Sequence, residues 1–181
     1  MDSNKEIIST SQKISSSIKE ILPYLITLVI VILLKIFLLT TIRVYGTSMS
    51  DTLHPNDILL LDKVSYRFSD IKRWDIVVIK FGDEKIIKRV VGLPGEHISY
   101  KDNNLYVGDE KIIDNYGNGK TYDFDLNHIN LETIPDDCYF VLGDNREESM
   151  DSRIIGVINK KDIMGKAFFT IFPFNHIGVP K

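Results

Sequence analysis

The run ILPYLITLVIVILLKIFLLTTI, residues 21–42, holds 22 residues and a single charge, and it limits what this chain can fold into more than any other stretch. At ~1.5 Å per helical residue it is long enough to cross a hydrocarbon core of roughly 30 Å. Lys35, the one charge, lies seven positions from its C-terminal end, close enough for the stem to snorkel toward headgroups. A cleaved leader needs a shorter apolar core and small residues at a cut site; the following TTIRVYGTS offers no such site. The expectation is one uncleaved transmembrane anchor over residues 21–42. Residues 1–20 are polar and serine-rich, carry Lys5, Lys13 and Lys19, and contain a capping box from Ser17 to Glu20. The positive-inside tendency keeps this tail in the cytoplasm, which places residues 43–181 outside the cell membrane.

After Arg43 no long helical period appears. Short runs rich in valine, isoleucine and aromatics recur between Gly, Pro, Asn and Asp: ILLLDKV, WDIVVIKF, KIIKRVV, HISY, LYV, YFVLG and MGKAFFTIF. The DNN at 102–104 reads as a hairpin turn and VGLPGE as a tight turn after a strand. The fold class expected is mainly β: an antiparallel sheet domain, barrel-like or of two sheets, behind one N-terminal helix. A net charge of −3 with both signs interspersed gives no basic stripe for a phosphate backbone, so nucleic acid is not an expected partner. The lone Cys138 forms no internal disulfide and reads as a small buried hydrophobe in CYFVL. No Cys or His cluster stands at metal-ligand spacing, and neither a metal nor a cofactor is expected.

Just past the apolar run, GTSMSDTL at 46–53 packs four hydroxyls and one carboxylate into eight residues. If Ser48 is a nucleophile, a base must take its proton. His54 is too close in sequence for an easy geometry, and His97, His128 and His176 follow turn or strand signals without a suggestively spaced carboxylate. A lysine is a recognised alternative base, provided burial keeps its amine neutral against an ordinary value near ~10.4. In IIKRVV at 86–91, strand alternation sets Ile86, Lys88 and Val90 on one face and Ile87, Arg89 and Val91 on the other. Aliphatic neighbours would desolvate Lys88, although an exposed edge-strand lysine shows the same local pattern.

GTSMSDTL, then IKRVVGLPGE at 87–96, then LGDNREESMDSR at 142–153, in that order behind an anchor, resemble the bacterial type I signal peptidases. WDIVVIKF resembles the family's strand before the lysine, and GKAFFTIFPFNHIG at 165–178 its closing segment; the short interval between LPGE and GDNR resembles the compact Gram-positive form. The resemblance implies that residues 43–181 are an exported serine peptidase domain with Ser48 as nucleophile and Lys88 as general base. Ser149 falls where the family has a hydroxyl that orients the lysine amine, and Asp151 and Arg153 where it has an ion pair bracing the site. Asp144 and Asn145 are expected to support that loop, or simply to satisfy a GDN turn. The oxyanion donor implied is the Ser48 N–H. Gly46 stands where some members add a hydroxyl and where compact members often carry glycine, so Thr47 or backbone would supply any second donor. The implied substrates are preproteins with small residues before the bond, taken beside membrane lipid in shallow pockets for which Met49, Ile86 and Val90 are candidates, core packing being the competing role for Ile86 and Val90.

The family's usual Ser-Met-x-Pro-Thr-Leu has Asp51 here in place of proline. Proline would fix φ; aspartate removes that restraint and, within ~4–6 Å of Lys88, would recharge it. The expectation is that Asp51 faces solvent or a backbone N–H. Two alternatives accompany this reading. A membrane-tethered factor for surface-protein or pilus assembly, with a dedicated client or little turnover, would share the fold, but the retained Ser48 and Lys88 speak for turnover. Self-cleaving repressors share a Ser-Lys pair, yet would need a DNA-binding domain where this chain has its apolar run.

Overall fold

The computed structural model describes residues 19–32 and 39–180, which fall into two units parted at Leu39. Residues 1–18 of the polar tail, among them Ser17 of the expected capping box, and Lys35, expected to snorkel, lie outside the described residues. In the first unit residues 19–32 are helical. The large apolar side chains from Ile21 to Ile32 are exposed on every side of it. Among the described residues no helix is long and apolar enough to cross a membrane.

The expected helix over 21–42 is too long at its C-terminal end. Leu39–Arg43 is a strand, β1, at one edge of a sheet. Thr40, Thr41 and Ile42 explain the switch: three β-branched residues in a row are restricted at χ1 in a helix and suit a pleated strand.

In the second unit the chain is mainly antiparallel β. The strands are β2 (Ile58–Asp62), β3 (Ile76–Phe81), β4 (Glu84–Gly92), β5 (Ile98–Lys101), β6 (Asn104–Val107), β7 (Glu110–Ile112), β8 (Phe124–Asp125), β9 (Cys138–Leu142), β10 (Ile158–Asn159) and β11 (Ile163–Phe172). They form two sheets, not a single barrel: a seven-stranded one in the order β1-β2-β11-β3-β4-β9-β10 and a four-stranded one in the order β7-β6-β5-β8. The DNN turn joins β5 to β6 with Asp102 and Asn103 both at positive φ, the arrangement that suits two-residue hairpins. Three of the short strands, β7, β8 and β10, had no sequence run of their own to announce them.

The central hairpin of β3 and β4 positions the site. Val77 pairs with Lys88, Val78 with Ile87 and Ile76 with Arg89, while Arg89 pairs with Leu142 of β9 on the other side. Both faces of β4 are covered. Ile87 packs with Met49, Leu53, Leu59 and Val78; Ile86 and Val90 pack with Val77, Ile79 and Val141. Such double burial is why KIIKRVV reads as a continuous apolar run interrupted by two charges. Cys138, expected to be buried, opens β9 half-exposed.

Candidate active site

Ser48 sits on a turn between β1 and β2. Gly46 enters that turn at φ +83°, with nothing within 4 Å of where a Cβ would be. The positive φ suits glycine; space does not demand it. The turn is closed by hydrogen bonds from Ser50 N–H to Thr47 O at 3.0 Å and from Leu53 N–H to Met49 O at 2.8 Å. Met49 and Leu53, both buried, nail it into the core. Ser48 itself stays half-exposed, and its N–H has no hydrogen-bond partner among the described residues.

Lys88 comes up from β4, 3% exposed, and its Nζ is hydrogen-bonded to Ser48 Oγ at 2.7 Å. Burial pushes the ammonium down from 10.5 to about 8; Asp151 pulls it back up, Arg153 lowers it again, and Asp144 raises it. The order matters chemically. Desolvation favours the neutral amine, and the carboxylate that would undo this is itself held by a guanidinium. Arg153 grips Asp151 through two bonds, Nε to Oδ1 and Nη2 to Oδ2, each 2.8 Å. Asp151 is fully buried; it caps the short helix Ser152–Ile155 and accepts the Gly143 N–H at 3.1 Å.

Asp144 and Asn145 couple this loop to the serine turn. Asp144 takes a two-pronged ion pair from Arg89, Nε to Oδ1 at 2.8 Å and Nη2 to Oδ2 at 2.7 Å, and accepts the Thr52 hydroxyl at 2.5 Å. Arg89 also donates to Trp74 O and lies 3.8 Å from the centre of the Tyr116 ring. The Asn145 N–H donates to Ser48 O at 3.1 Å, and its side-chain amide reaches Thr47 O at 3.4 Å. Between them, Gly143 leaves no room: a Cβ there would lie 2.4 Å from Ser48 O and 2.2 Å from Ser149 Oγ. Ser149 Oγ is buried and makes no hydrogen bond, to Lys88 or to any other described group.

A cleft beside the pair is lined by Val44, Gly46, Met49, Ile86 and Ile87 together with Ser48 and Lys88. Met49 and Ile86 thus border this cleft as well as packing into the core. Val90, wholly buried in the core cluster, does not border it. Asp51 is exposed and accepts the Asn118 side-chain amide at 2.9 Å. It is absent from the charges that move Lys88. The residues that sequence reasoning passed over are Arg89 and Thr52. Arg89 carried one usable signal, a second charge inside an apolar strand, but its partner lies 55 residues away.

A hydroxyl beside a desolvated amine is equipped to transfer a proton and attack a carbonyl, with an unengaged backbone N–H at the same residue. Comparison with known proteins points the same way. Residues 17–172 match the sequence model of the family described as signal peptidase, peptidase S26. The chain is 36% identical to a signal peptidase I of Bacillus amyloliquefaciens, covering 98% of each. It is 39% identical to signal peptidase I P of Bacillus subtilis subsp. natto, covering 92% of this chain and 95% of the relative. Among solved structures, a signal peptidase I from Enterococcus faecalis matches with a TM-score of 0.50 and 32% identity, covering 54% of this chain and 97% of that one.

Proposed function

Since the chain belongs to the signal peptidase family, peptidase S26, and is a serine endopeptidase that removes signal peptides, we propose that it works through a Ser48–Lys88 dyad in a domain held to the membrane by its apolar run. The observation that carries this reading is the 2.7 Å contact between Lys88 Nζ and Ser48 Oγ at a lysine that burial pushes down to about 8.

With Lys88 neutral, its lone pair accepts the Ser48 proton as Oγ attacks the carbonyl at the end of the signal peptide. The oxyanion of the tetrahedral intermediate meets the Ser48 N–H. Lys88 then returns the proton to the leaving amine, and the mature protein departs. The ester left on Ser48 is hydrolysed by a water that Lys88 deprotonates, which frees the signal peptide and restores the alcohol. Arg153 serves by neutralising Asp151, and Arg89 with Asp144 serves by fixing the loop that meets Ser48 O. Ser149, orphaned and buried behind Gly143, is the hydroxyl available to hold the amine as the turn adjusts to substrate. Met49 and Ile86 border the pocket for a small side chain.

Anchoring rests on the sequence. With β1 beginning at Leu39, residues 21–38 remain as an apolar stretch of ~27 Å if helical throughout, near the hydrocarbon thickness. The domain after it is then extracytoplasmic, and its substrates are preproteins with small residues before the cut, met beside lipid.

The test is cleavage of a preprotein bearing an Ala-x-Ala site by the full-length protein in detergent or lipid. The expected result is a cut after the alanine, with Ser48→Ala and Lys88→Ala each slower by at least ~10³-fold, as for removal of one member of a unit. Cleavage that survives Lys88→Ala would remove the lysine from the mechanism.

A further inference from the structure

On the side of the domain where the chain ends, His54, Asp57 and His176 meet with one donor atom from each inside a span of 4.8 Å. Sequence spacing conceals the group, because His176 arrives from 119 residues beyond Asp57. His54 and Asp57 belong to the loop between the serine turn and β2; His176 ends the short 3-10 turn Phe174–His176 after β11.

We propose that these three residues form a site for a first-row divalent cation such as Zn2+, which clips the C-terminal segment to the loop behind the serine turn. The proposal is independent of the dyad mechanism. Four observations carry it.

The first is the donor set. Two imidazoles and one carboxylate suit zinc and its neighbours and suit the oxygen-seeking Ca2+ and Mg2+ poorly.

The second is spacing. His176 Nδ1 lies 3.0 Å from Asp57 Oδ1 and His54 Nδ1 lies 4.0 Å from Asp57 Oδ2. Ligands at about 2.0–2.1 Å from a tetrahedral ion stand roughly 3.3 Å apart, between those two values. Small side-chain rotations bring all three onto one ion. The two rings are already held side by side, with centroids 4.7 Å apart.

The third is the carboxylate itself. The Asp57 side chain is 3% exposed, and no Lys or Arg among the described residues pairs with it. Apart from the His54 N–H that it accepts at 2.9 Å, it faces imidazoles alone. A buried carboxylate is ordinarily paired with a cation or a metal.

The fourth is access. His54 and His176 are 49% and 33% exposed, which leaves an entry for a hydrated ion and room for water in the remaining position.

The position has a mechanical consequence. Val44 N–H donates to Asp57 O and Asn56 N–H to Val44 O, so Asp57 is tied to the segment that leads into Ser48. The tail is tied to β11 by a reciprocal pair of bonds between Thr170 and Gly178. A cation bound by the folded domain and not by the unfolded chain stabilises the domain by RT ln(1 + M/Kd), where M is the free metal concentration.

The experiment uses untagged full-length protein in detergent, stripped with a chelator and dialysed against Zn2+ with metal content measured, beside His54→Gln and His176→Gln. Thermal unfolding of each stripped protein establishes that the variants fold. The expected result is one Zn2+ per chain at micromolar free metal, a raised Tm on binding, and at least about tenfold weaker binding in each variant, in line with loss of a ligand-shell group. Co2+ in place of zinc should give the visible absorption of a tetrahedral site in the unmutated protein alone. No bound metal at tens of micromolar Zn2+, or binding undiminished in both variants, overturns the proposal.

Discussion

On the proposed mechanism Lys88 must be neutral where the enzyme works, and its surroundings achieve this by removing water instead of by opposing charge. The Asp151 carboxylate works against the shift, and Arg153, bonded to it, acts in the opposite direction. The sign of the pH dependence follows. The active form is the amine, so kcat/KM should climb about tenfold per pH unit below about 8 and level off above it; a pH-rate profile on a preprotein checks this. A flat profile from pH 6 to 9 would mean that Lys88 is not the titrating base. The same shift penalises folding while Lys88 is charged, and that penalty is relieved as pH rises from about 8 toward 10.5. Asp51, exposed and bonded to the Asn118 side-chain amide, is not among the charges that shift Lys88.

At the scale of elements, the site is a turn, a strand and a loop held in register by one buried ion pair. Arg89 on β4 reaches Asp144 just past β9, and Asp144 reaches Thr52 on the serine turn. Removing one partner of a buried pair leaves an uncompensated charge at a cost of about 3–5 kcal/mol. Asp144→Ala should therefore lower the urea midpoint markedly and reduce cleavage further, whereas a swap of Glu147, which is exposed on the same loop, should do neither. How much of this was legible depends on range. The Ser48, Lys88 and GDN segments are visible because each is a compact motif, and the strands from β2 to β6 because alternation and turn residues agree locally. Arg89 was not, since alternation makes it merely the neighbour facing away from Lys88; only the register β3-β4-β9 shows that both faces are interior. The C-terminal end of the apolar run failed for the opposite reason. Hydropathy alone does not separate a helix from the β-branched Thr40, Thr41 and Ile42 of an edge strand.

At the scale of the whole molecule, the three core clusters lie wholly in the second unit, and among the described residues only Leu39, the first residue of β1, enters a sheet from before position 40. A protein beginning at Thr40 should unfold cooperatively in a thermal melt and still cleave a short peptide. Against a preprotein inserted in lipid its rate should fall by roughly 10²–10⁴-fold, the range that tethering supplies through effective concentration; equal rates with and without residues 1–39 would show that anchoring does not assist encounter. The serine and lysine stand 40 residues apart in the chain and meet only when the turn docks on β4. On the proposed mechanism an unfolded copy thus carries an ordinary alcohol and a solvated ammonium, and the working pair exists only once the turn has docked, so that folding itself is the activation step.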